Sequence, residues 1–188
     1  MLPLTFLLFI GFVPLLILHD EVCQLSSAKK GSIFFRYVWL AMFVWNVLTT
    51  WWVWNASAGG AVMAIVANSL LMTIPFAVFH KVTKYVSPFV SKCMLIVLWV
   101  CFEYCHQRWD LTWTWINIGN AFAIIPNAIQ WYEYTGALGG TLWVLFSNVL
   151  VHQLLTTKSY KLYGGLLFSW IVGPVLLSLS LIDVESDV

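Results

Sequence analysis

Apolar residues in this chain come in long blocks. They show neither the alternation of a half-buried strand nor the one-sided stripe of a soluble helix. Six blocks stand out, at about 4–18, 33–54, 58–79, 94–106, 136–151 and 164–182. Each approaches the roughly 20 residues that an α-helix needs to cross a bilayer. The first and fourth are short, which tilt or local thinning of the bilayer accommodates. Pro14 and Pro75 lie inside blocks, where neighbouring helices or hydroxyls can satisfy the freed backbone groups. The pattern predicts an all-α fold: an integral membrane bundle of six transmembrane helices forming one domain over residues 1–188.

The segments between blocks sort by charge. Lys29, Lys30 and Arg36 follow the first block; Lys81, Lys84 and Lys92 follow the third; Lys158 and Lys161 follow the fifth. Eight of the nine basic residues thus fall on one side, which the positive-inside rule makes cytoplasmic. The other side then holds 55–57, a long loop at 107–135 and the acidic tail at 183–187, so both termini are expected outside. Seven of the twelve tryptophans fall on that outer side: Trp51, Trp52, Trp54, Trp109, Trp113, Trp115 and Trp131. An interfacial belt predicts enrichment at both faces. The one-sided excess reads either as a belt plus a packed loop or as an outer-leaflet platform.

The outer loop is too apolar to float in water and too interrupted for a span. Leu111, Trp113, Trp115, Ile116 and Ile118 alternate with Thr112, Thr114, Asn117 and Asn120, and Gly119 and Pro126 punctuate the run. A re-entrant or interface-lying segment fits this pattern. Arg108 stands beside Asp110, with Glu103 just before and Glu133 returning later. These charges either pair to fasten the loop or leave Arg108 to meet a lipid phosphate, which a guanidinium suits well. The candidate lipid- or partner-binding residues are Glu103, Arg108, Trp109, Asp110, Trp113, Trp115, Trp131 and Glu133.

Composition narrows the classes further. The chain is 61% hydrophobic and only 9% charged, against about 25% charged in an ordinary soluble domain. Net charge +1, with no basic patch on a soluble face, gives no nucleic-acid partner. Cys23, Cys93, Cys101 and Cys105 include no CxxC pair, and no phosphate loop, HExxH or GxSxG occurs. No metal, cofactor or catalytic residue is expected. Cys101, Glu103, Cys105 and His106 make a poor metal set without a second cluster, and His19, Asp20 and Glu21 with Cys23 read as an interfacial cap. The apolar start lacks the basic region and small-residue site of a cleavable signal peptide. Asn46, Asn68 and Asn148, alone in apolar blocks, are expected to bond between helices. Gly136-x-x-x-Gly140, with Gly139 between, offers a smooth face for close helix approach.

Taken in order, several runs resemble the membrane part of bacterial apolipoprotein N-acyltransferases. They are Phe9-Ile10-Gly11-Phe12-Val13-Pro14-Leu15-Leu16, then Thr50-Trp51-Trp52-Val53-Trp54-Asn55-Ala56 with Gly59-Gly60, and above all the stretch 102–140. That stretch carries a Glu-Tyr pair, a Trp-Asp, a Gly-Asn turn and a Gln-Trp lead-in to a Gly-rich helix. The resemblance implies a six-helix inner-membrane portion. The family usually has one more helix before its Val-Pro-Leu-Leu span, so that helix is expected to be missing here. It also carries a periplasmic nitrilase-like domain supplying a Cys nucleophile, a Glu base and a Lys for the oxyanion. No residues here correspond to that domain. Nor do the cysteines replace it: Glu103 is two residues from Cys101 and from Cys105, so it faces another side of the helix.

Two functions follow as expectations. The first is a non-catalytic lipid- or lipoprotein-binding subunit of a larger membrane complex, holding phospholipid or a lipid-modified protein N-terminus. The second is the membrane half of a split acyltransferase that moves an acyl chain from phospholipid to the N-terminal Cys of a lipoprotein. A solute transporter fits less well, since no inverted repeat or mid-span charge is visible.

Overall fold

A computed structural model describes residues 4–110 and 112–186, with side chains described through residue 182. Leu111, the opening Met1-Leu2-Pro3 and the side chains of the acidic tail lie outside the described residues. Within them all regular structure is helical. Six helices are long and apolar enough to cross a membrane: α1 (Leu4–Gln24), α2 (Lys30–Asn55), α3 (Ala58–Val82), α4 (Pro88–His106), α5 (Tyr132–Thr156) and α6 (Tyr160–Ile182). The chain is a multi-pass all-α membrane protein.

The helices outrun the apolar blocks, because flanking polar residues still close backbone bonds. Helix α4 starts at Pro88, where a missing N–H costs no helical bond. The preceding Ser87 accepts from Val90 and Ser91 through its hydroxyl and carbonyl respectively. Lys92 therefore lies inside α4. It is 3% exposed, with its ammonium 3.1 and 3.2 Å from the two carboxylate oxygens of Asp20 on α1.

Two compact units divide the chain. The middle unit is Ile17–Phe102, and the terminal unit joins Met1–Leu16 to Glu103–Val188. In the middle unit, Phe34, Phe76, Phe79 and Trp99 are buried together. Helices α2 and α3 are tied by Asn68, whose amide donates to the side-chain oxygen of Asn46 at 2.7 Å. That is the interhelical bond expected of lone asparagines in apolar segments, where lipid offers no alternative partner.

The terminal unit is built on α5. Trp143 meets Phe9 edge-on at 4.8 Å between ring centroids, with Phe122 at 5.1 Å and Trp131 at 5.8 Å. Trp143 and Trp170 each donate an indole N–H to the other's backbone carbonyl, at 2.8 and 3.0 Å, joining α5 to α6. Asn148 holds α1 where Pro14 weakens it. Its oxygen accepts from the N–H of Phe12 at 2.7 Å, and its nitrogen donates to the carbonyls of Leu8 and Val144 at 2.7 and 2.9 Å. Proline removes a donor from the helix ladder, and a side-chain amide from a neighbouring helix braces the adjoining backbone.

Candidate functional site

The segment between α4 and α5 is a chain of short 3₁₀ turns, Thr114–Ile116, Ile118–Phe122 and Pro126–Ala128. A backbone so irregular in an apolar setting needs partners for its polar groups. Glu103, on the last turn of α4 and 3% exposed, supplies them. One of its oxygens accepts from the N–H of Ile118 at 3.0 Å, and the other accepts from the hydroxyl of Thr141 on α5 at 2.6 Å. Thr141 in turn accepts from the N–H of Gly119 at 3.1 Å. The hydroxyl of Tyr132 donates to the carbonyl of Gly119, also at 3.1 Å. One carboxylate thus ties the end of α4, the turn at Ile118–Phe122 and the body of α5 into a single polar network.

Gly119 and Gly140 let the turn lie directly on α5. A Cβ built at Gly119 would collide with the carbonyl oxygen of Ala137, and one at Gly140 would come 3.0 Å from the Cα of Gly119 as well as striking Tyr132. Of the glycines expected to offer a face for close helix approach, Gly140 packs against the loop, whereas Gly139 faces Thr135 and Trp131. Gly136 has another role. Its φ of 65° marks a kink near the start of α5, in the left-handed region that side chains avoid.

Burial separates the candidate residues. Glu103 is part of the interior, and so is Trp131, which is 8% exposed and packed edge-on against Tyr132 and Trp143. Arg108, Trp109, Asp110, Trp115 and Glu133 are exposed, and Trp113 is half-buried. The guanidinium of Arg108 sits 4.6 Å from the ring centre of Tyr104, one turn earlier, and Trp109 packs on His106 at 4.9 Å. Trp115 is 64% exposed. Sequence proximity suggested a mutual charge network. The bonds described at Glu103 run to backbone and hydroxyl groups, while Arg108 rests on an aromatic face.

Thr141 and Tyr132 were not singled out by the sequence, although Thr141 is a polar residue directly after Gly139-Gly140 in an apolar helix; Gly119 was read only as punctuating the loop. Cys101 and Cys105 are exposed while Glu103 between them is buried. The thiols and the carboxylate therefore face different environments, as their two-residue spacing implies.

Comparison with known proteins agrees with this architecture. The family model described as the apolipoprotein N-acyltransferase N-terminal domain matches residues 2–150. The apolipoprotein N-acyltransferase of Chlorobaculum tepidum is 28% identical to this chain over 167 residues, covering 88% of the chain. The chain spans only 30% of that relative's length. No solved structure matches. Glu103, Gly119, Tyr132 and Thr141 all lie within the matched stretch, and the chain belongs to the apolipoprotein N-acyltransferase N-terminal domain family.

Proposed function

We propose that this chain is a lipid-binding platform in the bacterial inner membrane, a non-catalytic subunit of a larger membrane complex. Its ligand is a phospholipid or a lipid-modified protein N-terminus held at the outer face. The observation that carries this reading is the exposed set Arg108, Trp109 and Trp115 on a segment whose backbone is fastened from within by Glu103. Exposed indoles suit the bilayer interface, and a guanidinium offers a fork of donors to a phosphate. Asp110, Trp113 and Glu133 border these residues in sequence, while Glu103 and Trp131 support them from the interior. An open apolar groove of about 400 Å³, lined by Ile124–Ala128, Val175 and Leu179, gives acyl chains a place beside the same loop.

Purification of the full chain in mild detergent, followed by native mass spectrometry, tests the reading. Bound phospholipid or a co-purifying membrane partner is expected. Arg108→Ala combined with Trp115→Ala should lower lipid retention several-fold while leaving the fold intact. A lone, lipid-free monomer would sink the proposal.

Family membership supports a second reading, since the matched relative is named an apolipoprotein N-acyltransferase. Here the chain is the membrane half of a split enzyme, and a separate nitrilase-like chain supplies the thiolate. The membrane half presents the phospholipid acyl donor and the N-terminal Cys of the lipoprotein. Co-expression with a nitrilase-like domain and an assay for N-acylation of a diacylated peptide decides it. Transfer only when both chains are present supports the split enzyme, and none at all leaves the subunit reading.

A further inference from the structure

The middle unit gathers three soft donors contributed by two helices. His19 and Cys23 are four residues apart, on one face of α1, and His80 comes from the last turn of α3. One ligand atom from each lies within 4.8 Å of the other two. The Sγ of Cys23 is 3.6 Å from Nε2 of His19. Zinc bonds of about 2.1 Å to nitrogen and 2.3 Å to sulfur, at tetrahedral angles, place neighbouring ligand atoms about 3.6 Å apart. The His19–Cys23 pair already has the spacing a metal requires, and the third ligand must close by about 1 Å.

The surroundings favour the same reading. The other nitrogen of His19, Nδ1, lies 3.7 Å from Oδ1 of Asp20, which is itself held by Lys92. A carboxylate behind a histidine fixes ring orientation and tautomer at many metal centres. His19 is 1% exposed, walled by the rings of Phe34 and Phe79. At His80, Nε2 faces the backbone of Gly31, where a Cβ would stand 3.5 Å away, and Nδ1 is buried with no hydrogen-bond partner. Cys23 and His80 both line an open groove of about 880 Å³, which gives an ion a route in. Lys29, Lys30, Lys81 and Lys84 also line it, so charge alone would repel a hard cation. A borderline-soft ion held by sulfur and nitrogen bonds is the kind that suits such a site.

We propose that His19, Cys23 and His80 form a binding site for a soft divalent transition metal of the zinc class, with water as the fourth ligand. Binding replaces the thiol proton of Cys23 with the metal and releases that proton to solvent. This site is independent of the lipid reading and shares no residue with it.

Cobalt(II) is the probe, added to the full chain purified in detergent without a histidine tag. One cobalt per chain is expected, with a near-ultraviolet sulfur-to-cobalt charge-transfer band and visible bands of tetrahedral intensity, both displaced by zinc. Cys23→Ser should abolish the charge-transfer band and weaken binding at least tenfold, and His80→Gln should weaken it while keeping the band. Gel filtration checks that both variants remain folded. No cobalt bands with the parent chain, or identical spectra for Cys23→Ser, would overturn the site and leave a thiol–imidazole contact.

Discussion

Replacing Thr141 by Val removes one hydroxyl and almost no volume, so it isolates the polar network that fastens the loop. Two bonds go: the 2.6 Å bond to Glu103 and the 3.1 Å bond accepted from Gly119. Side-chain hydrogen bonds between membrane helices average about 0.6 kcal/mol each, with a maximum near 1.7. The N–H of Gly119 would also be left buried without its acceptor, a loss of about 1–3 kcal/mol. Together these predict about 2–4 kcal/mol, felt as local opening of the loop more than as global unfolding. Tenfold per 1.4 kcal/mol makes that roughly a 30- to 700-fold rise in the open population. Trypsin cleavage after the exposed Arg108 should accelerate by a similar factor where opening is fast relative to cutting. Glu103→Gln is the control. Its amide keeps an oxygen for Ile118 and can donate to Thr141, so cleavage should change less than about fivefold, corresponding to under 1 kcal/mol. Equal protection in Thr141→Val and the parent would refute the network. Glu103→Gln as severe as Glu103→Ala would show that the charge, not the hydrogen bonding, holds the loop.

Asn148→Leu should lower stability by about 1–3 kcal/mol, because the bonds to Phe12 and Leu8 across to α1 are lost while the volume is kept. Thermal unfolding in detergent reads this, and an unchanged midpoint would mean that the Pro14 region needs no brace. Gly119→Ala should prevent the loop from seating at all, since the clash is with backbone, whereas Gly136→Ala meets no atom within 4 Å and should cost only the positive-φ strain of about 1–3 kcal/mol. Comparable protease sensitivity in the two variants would contradict the packing described here.

The helical bundle was legible because lipid imposes a length on apolar blocks, and that length survives in the sequence without an alignment. Helix ends were less so. Lys92 looks like a loop residue by charge, but Asp20, 72 residues earlier, lets it enter α4 as a buried ion. Asn148 was recognisable as a polar residue that must find a partner between helices. That its partners are the backbone of α1, some 136 to 140 residues away, is decided by packing alone. The same holds at Glu103. Its neighbours in sequence, Arg108 and Asp110, advertise a charge cluster, whereas its bonded partners Ile118 and Thr141 lie 15 and 38 residues on. His19 and Cys23 display helical spacing to any reader, but His80 joins them only through the approach of α3 to α1.

Glu103 also bears on how the loop can be used. A carboxylate inside an apolar bundle is costly unless hydrogen-bonded, and here the bonds it accepts come from the loop backbone and α5. A residue so engaged is unsuited to grip an anionic headgroup, because its negative charge repels phosphate and both of its oxygens already accept hydrogen bonds. Asp110 and Glu133, exposed on either side of the turns, repel it too. Among the charged candidates, attraction is left to Arg108, and its position over Tyr104 keeps the guanidinium at the surface with one face covered and its N–H edge available. On the lipid-binding reading proposed above, the two halves of the charge pattern divide the work: the buried acid fastens the loop, and the exposed cation is the group a phosphate would meet.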